Sequence, residues 1–207
     1  VRFWPTLPEA TMIDKLLEEA PTRVDEMVSR TEGLQESAAD YLPPSAHSLS
    51  ELAAAADHCR GCDLCINATQ TVFGSGPQTA KLMIVGEQPG DEEDLEGKPF
   101  VGPSGRLLNS IFEELQVDRD TIYVTNAVKH FSFEMRGKIR LHKKPNVRQV
   151  NACKPWLQEE IRVIKPRAVL LLGATALQAL RGRQLQLTKV RGQEFEFDGI
   201  RYVASWH

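Results

Sequence analysis

Lys81-Leu82-Met83-Ile84-Val85 is a lysine followed by four apolar residues, and it stops at Gly86-Glu87-Gln88-Pro89-Gly90. A short apolar run without polar alternation predicts a strand covered on both faces, and its glycines and proline predict a tight turn after it. The same grammar repeats downstream. Thr121-Ile122-Tyr123-Val124-Thr125 and Arg167 to Leu172 predict two more strands. Between them lie an amphipathic helix from Ser104 to Gln116, with Leu107, Leu108, Ile111, Phe112 and Leu115 on its apolar side, and a longer helix from Val147 to Ile164 stopped by Pro166. A further helix follows over Gly173 to Arg181. Glu194-Phe195-Glu196-Phe197 and Ile200-Arg201-Tyr202-Val203 predict a hairpin on an Asp198-Gly199 type I′ turn. Alternating strands and helices with apolar strands imply an α/β fold whose parallel sheet has helices on both faces. Such sheets bind ligands at the carboxyl ends of their strands, which points to Gly86–Gly90, Asn126 and His207.

The remainder of the chain sets bounds. Its 207 residues, 42% hydrophobic and with a net charge of −3, can bury one independent core and are too apolar for a disordered chain. The most apolar stretch, Ala168 to Leu180, is too short and too polar to span a membrane. No signal peptide opens the chain, so an intracellular, cytoplasmic setting of bacterial type is expected, with the protein a monomer. Four cysteines in a chain of this kind predict ligands or buried thiols rather than a disulfide framework. Beginning at Val1 and ending at Trp206-His207, the sequence has the look of an excerpt, truncated at its C-terminus. Two short acidic helices are expected before Pro43-Pro44, over Glu9–Glu19 and from Thr22. Ser48 with Glu51 is expected to cap an Ala-rich helix running toward His58-Cys59. The expected division is an acidic helical remnant or linker of a preceding domain over 1–45 and a main domain over 46–207.

Charge is unevenly spread. Residues 1–58 carry 4 basic and 11 acidic side chains, whereas 59–207 carry 21 basic and 17 acidic. The densest basic stretch holds Arg136, Lys138, Arg140, Lys143, Lys144 and Arg148 with no acid. A solvated loop and a polyanion contact both answer to that pattern.

Gly86-Glu87-Gln88-Pro89-Gly90-Asp91, Gly97-Lys98-Pro99-Phe100-Val101-Gly102, Thr125-Asn126-Ala127-Val128-Lys129-His130-Phe131 and Ser205-Trp206-His207 occur in the order and spacing of a known family. Over about residues 50–207 the chain resembles the iron–sulfur (family 4) uracil-DNA glycosylases. Within them it resembles UdgX, the branch that becomes covalently attached to uracil-containing DNA. The resemblance implies a three-layer α/β/α sandwich around a mainly parallel four-stranded sheet. It also implies a DNA-repair hydrolase acting on uracil in DNA, single-stranded or with the base flipped out.

By that resemblance Gly86 and Gln88 contribute to the uracil pocket, Phe100 stacks on the base, Asn126 reads its polar edge, and His207 holds the oxygen that gains charge. From position alone, Phe100 is equally a core residue, Asn126 a strand-end turn former and His207 an exposed terminal side chain. Glu87 takes the place of the acid that supports bond cleavage. UdgX ends a basic insert with Lys-Arg-Arg-Ile-His. This chain has Lys138-Ile139-Arg140-Leu141-His142, so the resemblance makes His142 the nucleophile that captures the sugar despite two changed neighbours. Lys138, Arg140, Lys143 and Lys144 are then expected to meet phosphates.

Cys59-x-x-Cys62-x-x-Cys65 by itself fits zinc, an iron–sulfur cluster or inert thiols. The resemblance implies a [4Fe–4S] cluster held by Cys59, Cys62, His130 and Cys153. An all-cysteine set using Cys65 is the alternative, since thiolates are the softer ligands. Two rival functions stand beside covalent capture: an ordinary turnover glycosylase in which Glu87 positions water, and a non-catalytic nucleic-acid module stapled by metal.

Overall fold

The computed structural model describes residues 34, 36–182 and 185–207 of the chain. The acidic helices expected over Glu9–Glu19 and from Thr22 lie outside the described residues. Gln35–His207 forms one compact unit. Within it, Ala38 in a 3₁₀ turn (Ala38–Tyr41) and Ala46 are both core residues, each 1% exposed.

Helix α1 (Leu49–Ala56) opens on the expected capping box: Ser48 Oγ accepts from Glu51 N–H, and Glu51 returns a carboxylate to the Ser48 N–H. Strand β1 (Leu82–Gly86) leads through a turn into α2 (Asp91–Glu96) and α3 (Pro103–Glu114). Strand β2 (Ile122–Asn126) precedes the two-stranded hairpin of β3 (Phe133–Arg136) and β4 (Ile139–His142). Helix α4 (Val147–Ile164) ends with Lys165 at φ 51° before Pro166. Then come β5 (Ala168–Leu172), α5 (Ala174–Arg181), α6 (Leu187–Val190), β6 (Glu194–Phe197) and β7 (Ile200–Ser205).

The main sheet has the order β2-β1-β5-β7-β6. Four strands are parallel, as expected, and β6 adds a fifth, antiparallel strand at the edge. Asp198 and Gly199 both have positive φ (52° and 74°), which is the type I′ turn predicted for that hairpin. Alternation along β1 sends Met83 and Val85 to one face with Trp156, Leu157 and Leu177, and Ile84 to the other with Leu108 and Phe112. Helices on both faces complete an α/β/α sandwich, and no described helix is long and apolar enough to cross a membrane.

Two local expectations change. Of the five apolar residues expected to face inward from α3, Leu108 and Phe112 are buried, whereas Leu107, Ile111 and Leu115 are 64%, 41% and 64% exposed; the helix rests on the sheet along a narrower stripe than its sequence offers. The basic insert is a β-hairpin rather than a loop, with Gly137 at φ 63° in its turn and Phe133 paired with His142 at its base.

Candidate active site

The parallel register sets Gly86 at the end of β1 beside Asn126 at the end of β2. A side chain at 86 would collide with Asn126 Oδ1 and would stand 2.9 Å from Phe100 Cζ, so only glycine leaves the slot open. Phe100 holds φ 58°, a conformation that costs a non-glycine residue on the order of 1 kcal/mol or more. Its carbonyl fits only because residue 105 also lacks a side chain. Glu93 fixes this arrangement from below: one oxygen accepts the Gly90 N–H at 2.9 Å and the other the Gly102 N–H at 3.1 Å. It thereby ties the turn after β1 to the loop that presents Phe100.

A cavity of about 280 Å³ opens at this end of the sheet, lined by Gln88, Asp91, Phe100, Asn126, His142 and His207 among others. Residues separated by more than a hundred positions in sequence therefore share one pocket. Glu87 lies beside it, 15% exposed, and accepts a hydrogen bond from Thr175 Oγ1 at the first turn of α5. Gln88 is buried and its amide orientation is fixed, because Ser132 N–H must donate to Oε1 (3.1 Å). The amide nitrogen then faces Ser132 O at 3.0 Å, Lys143 O at 3.2 Å and His142 Nε2 at 2.8 Å. The NH₂ group has two protons to share among these three acceptors and cannot itself accept, so His142 Nε2 faces it without a proton and the neutral ring carries its proton on Nδ1. Glu87 Oε1 stands 3.9 Å from the same Nε2, too far for a hydrogen bond.

The basic side chains divide into two kinds. Lys138, Lys143 and Lys144 are exposed and have no ion-pair partner among the described residues. Arg140, expected on DNA, turns inward. Its Nε meets Asp91 Oδ1 at 2.6 Å and its Nη1 meets Asp94 Oδ2 at 2.5 Å, while the guanidinium lies over Phe131 and Phe133. With Asp94 fully buried, that cation is held by two carboxylates and braces the hairpin against α2.

At the other side of the β2–β3 connection lie the candidate cluster ligands. The four cysteines are free thiols. Cys59 Sγ accepts from the Trp156 indole N–H at 3.3 Å, and Cys153 Sγ from Lys129 N–H at 3.2 Å, the kind of outer hydrogen bond that supports ligating sulfur. Burial pushes the Cys62 thiol up to about 11 and the Cys153 thiol higher still, each with the neighbouring thiols adding to the rise; a cation is needed to hold them as thiolates. Thr71 donates its hydroxyl proton to Ala56 O, so it must accept from His130 Nε2–H at 3.0 Å. Buried His130 is held neutral, its pKa lowered to about 4 by desolvation, with the Nδ1 lone pair left for a ligand. These donors fit the cluster chemically. Among the described residues, however, no three His, Cys, Asp or Glu side chains are gathered tightly enough for a single metal ion. Cys59, Cys65 and His130 line one cavity of about 300 Å³, which keeps the Cys65 alternative in play.

Residues 73–207 match the sequence profile described as the Uracil DNA glycosylase superfamily. The chain belongs to that superfamily. It is 34% identical over 151 residues to a type-4 uracil-DNA glycosylase of Thermotoga maritima, covering 72% of this chain and 75% of the relative. It is 30% identical over 168 residues to the type-4 enzyme of Archaeoglobus fulgidus, covering 77% and 81%. It is also 34% identical over 142 residues to that of Sulfurisphaera tokodaii, covering 66% and 61%. Within this glycosylase fold, Thr175, Glu93, Asp94 and Glu160 act at the site without standing in any of the quoted sequence segments, and Asp91 and Lys129 stand in them without an assigned role. Glu93 carried a readable signal, a carboxylate three residues after a turn glycine. The others became visible only through contacts between distant segments.

Proposed function

We propose that this chain is a monomeric, intracellular uracil-DNA glycosylase of the UdgX type, which removes uracil from DNA and captures the sugar on His142. The observation that carries this reading is the single pocket joining the Phe100–Asn126 slot to His142, with Glu87 3.9 Å from His142 Nε2. Free thiols suit the reducing cell interior. A flipped or single-stranded uridine enters over Gly86, where Phe100 stacks on the base, Asn126 hydrogen-bonds its edge, and His207 faces the oxygen that gains charge. The C1′–N1 bond breaks and its electron pair leaves on the uracil anion, while Glu87 offsets the cationic sugar. His142 Nε2 exchanges its Gln88 hydrogen bond for a bond to C1′. The imidazolium so formed sheds its Nδ1 proton, and the uracil anion takes up one from solvent. A nitrogen–carbon bond has no easy exit, so turnover stops.

Lys138, Lys143 and Lys144 meet phosphates, and Arg140 holds the hairpin that carries His142. Cys59, Cys62, His130 and Cys153 would hold a [4Fe–4S] cluster, which supplies a redox-capable staple between α1, the β2–β3 connection and α4. Iron in elemental analysis and a brown colour support it; zinc alone refutes it.

One observation favours ordinary turnover. Gln88 already occupies the His142 lone pair, and a histidine so held leaves Glu87 to position water. A denaturing gel after incubation with a uracil oligonucleotide separates the two. Covalent capture gives about one boiling-stable complex per protein with equimolar uracil, and His142→Ala converts the trap into a slow enzyme that leaves abasic strand. Many uracils released by the unaltered protein without a stable complex would end the covalent reading.

A further inference from the structure

Lys129 is 1% exposed and belongs to no group named above as touching the substrate. Its Nζ sits 2.6 Å from Glu160 Oε2, 2.5 Å from Thr125 Oγ1 and 2.9 Å from the backbone oxygen of Asn126. Those three acceptors use all three ammonium protons. Glu160, 0% exposed on α4, is equally engaged, its Oε1 accepting from Tyr123 Oη at 2.8 Å and Thr125 Oγ1 at 2.9 Å. A buried ion pair adds little net stability compared with an apolar pair of the same volume. What this pair does locally is more specific. The Asn126 carbonyl is at the last position of β2, and the ammonium fixes the peptide plane from which the Asn126 side chain projects.

We infer that Lys129 is a positioning residue for uracil recognition, clamping the Asn126 backbone so that its side-chain amide meets the base edge in the slot above Gly86. The inference rests on the uracil reading of the pocket. The tolerance there is small: Asn126 Oδ1 fills the space that a Gly86 side chain would take, with Phe100 on the other side. A tilt of the Asn126 peptide moves the amide off the base edge or into the Phe100 ring. The Lys129 backbone N–H bond to Cys153 Sγ survives any side-chain change, so the clamp can be removed without cutting that tie.

The test is a double-mutant cycle on uracil release from single-stranded DNA under single-turnover conditions with protein in excess, where kcat is the limiting rate of release and KM the protein concentration giving half that rate, whether or not the sugar is captured. Lys129→Met is paired with Glu160→Gln, so that no buried carboxylate is left without its cation. Melting followed by circular dichroism establishes that the pair folds. In an otherwise unaltered chain kcat/KM should fall roughly 10–100-fold, mainly through KM, the usual size for one charge-assisted hydrogen bond. In an Asn126→Ala background the same pair should change kcat/KM by less than about twofold, because its effect passes through Asn126. Tyr123→Phe, which removes one bond to Glu160 and leaves the Asn126 carbonyl alone, should leave KM in place. If the pair does not fold, Glu160→Gln alone loosens the ammonium and should give a smaller KM rise that also vanishes in the Asn126→Ala background. An equal loss in both backgrounds, a KM rise in Tyr123→Phe, or no loss at all overturns the inference. Absence of uracil release from the unaltered chain overturns instead the glycosylase reading on which it stands.

Discussion

Replacing Arg140 by alanine strips the guanidinium from two carboxylates of very different standing. Asp91 is 50% exposed, and losing an ion pair there costs no more than about 1 kcal/mol. Asp94 is 0% exposed and the Arg140 side chain only 17%, so this half behaves as a buried pair. Removing one partner of such a pair typically costs about 3–5 kcal/mol. Asp94 nonetheless keeps the Thr69 N–H, at 3.0 and 3.1 Å from its two oxygens, which lowers the expected total to about 2–3 kcal/mol. For a domain of this size that corresponds to a drop in melting temperature of roughly 5–10 °C. Thermal unfolding by circular dichroism measures it. Adding Asp94→Asn removes the orphaned charge and should restore more than half of the loss. Uracil release from DNA should also slow, since Arg140 lies two residues before His142 on β4. Melting of Arg140→Ala within about 1 °C of the unaltered protein, or no recovery on adding Asp94→Asn, would refute the account of Arg140 as a brace.

Gly86→Ala should remove uracil release at least 100-fold while shifting the melting point by only a few degrees, because the new methyl displaces the end of the Asn126 side chain rather than backbone; a quenched single-turnover assay and a melt together check it. Thr175→Val should slow uracil release by roughly 3–10-fold through the loss of one hydrogen bond to Glu87, with stability within about 1 kcal/mol of the starting protein; an unchanged rate would remove Glu87 orientation from the mechanism. Initial DNA binding should weaken with salt, by roughly 0.7–0.9 log units of affinity per log unit of salt for each phosphate met. Lys143→Ala with Lys144→Ala should lower that slope by about one to two, on plain and uracil DNA alike, as fluorescence anisotropy across a salt series would measure.

The layers were legible in the amino-acid pattern alone. Short apolar runs at 82–85, 122–124 and 168–172, separated by helical patterns, fit buried parallel strands, because a strand covered on both faces shows no polar alternation. Ser48 with Glu51, Pro166 after α4 and Asp198-Gly199 are local signals, satisfied by neighbours in the chain, and each matches the fold to within a residue or two. Gly86 and Asn126 could be named early because strand ends are where such sheets hold ligands, whereas Phe100 was named only through the family resemblance. Tertiary structure decided whatever depends on pairing across long separations. Arg140 looked like a DNA cation until Asp91 and Asp94, nearly fifty residues away, were seen to claim it. Leu107, Ile111 and Leu115 looked like core until α3 was seen to settle on Leu108 and Phe112. Lys129 and Glu160 look like surface charges in sequence; they are buried because each is the other's counterion, a fact that no local pattern encodes.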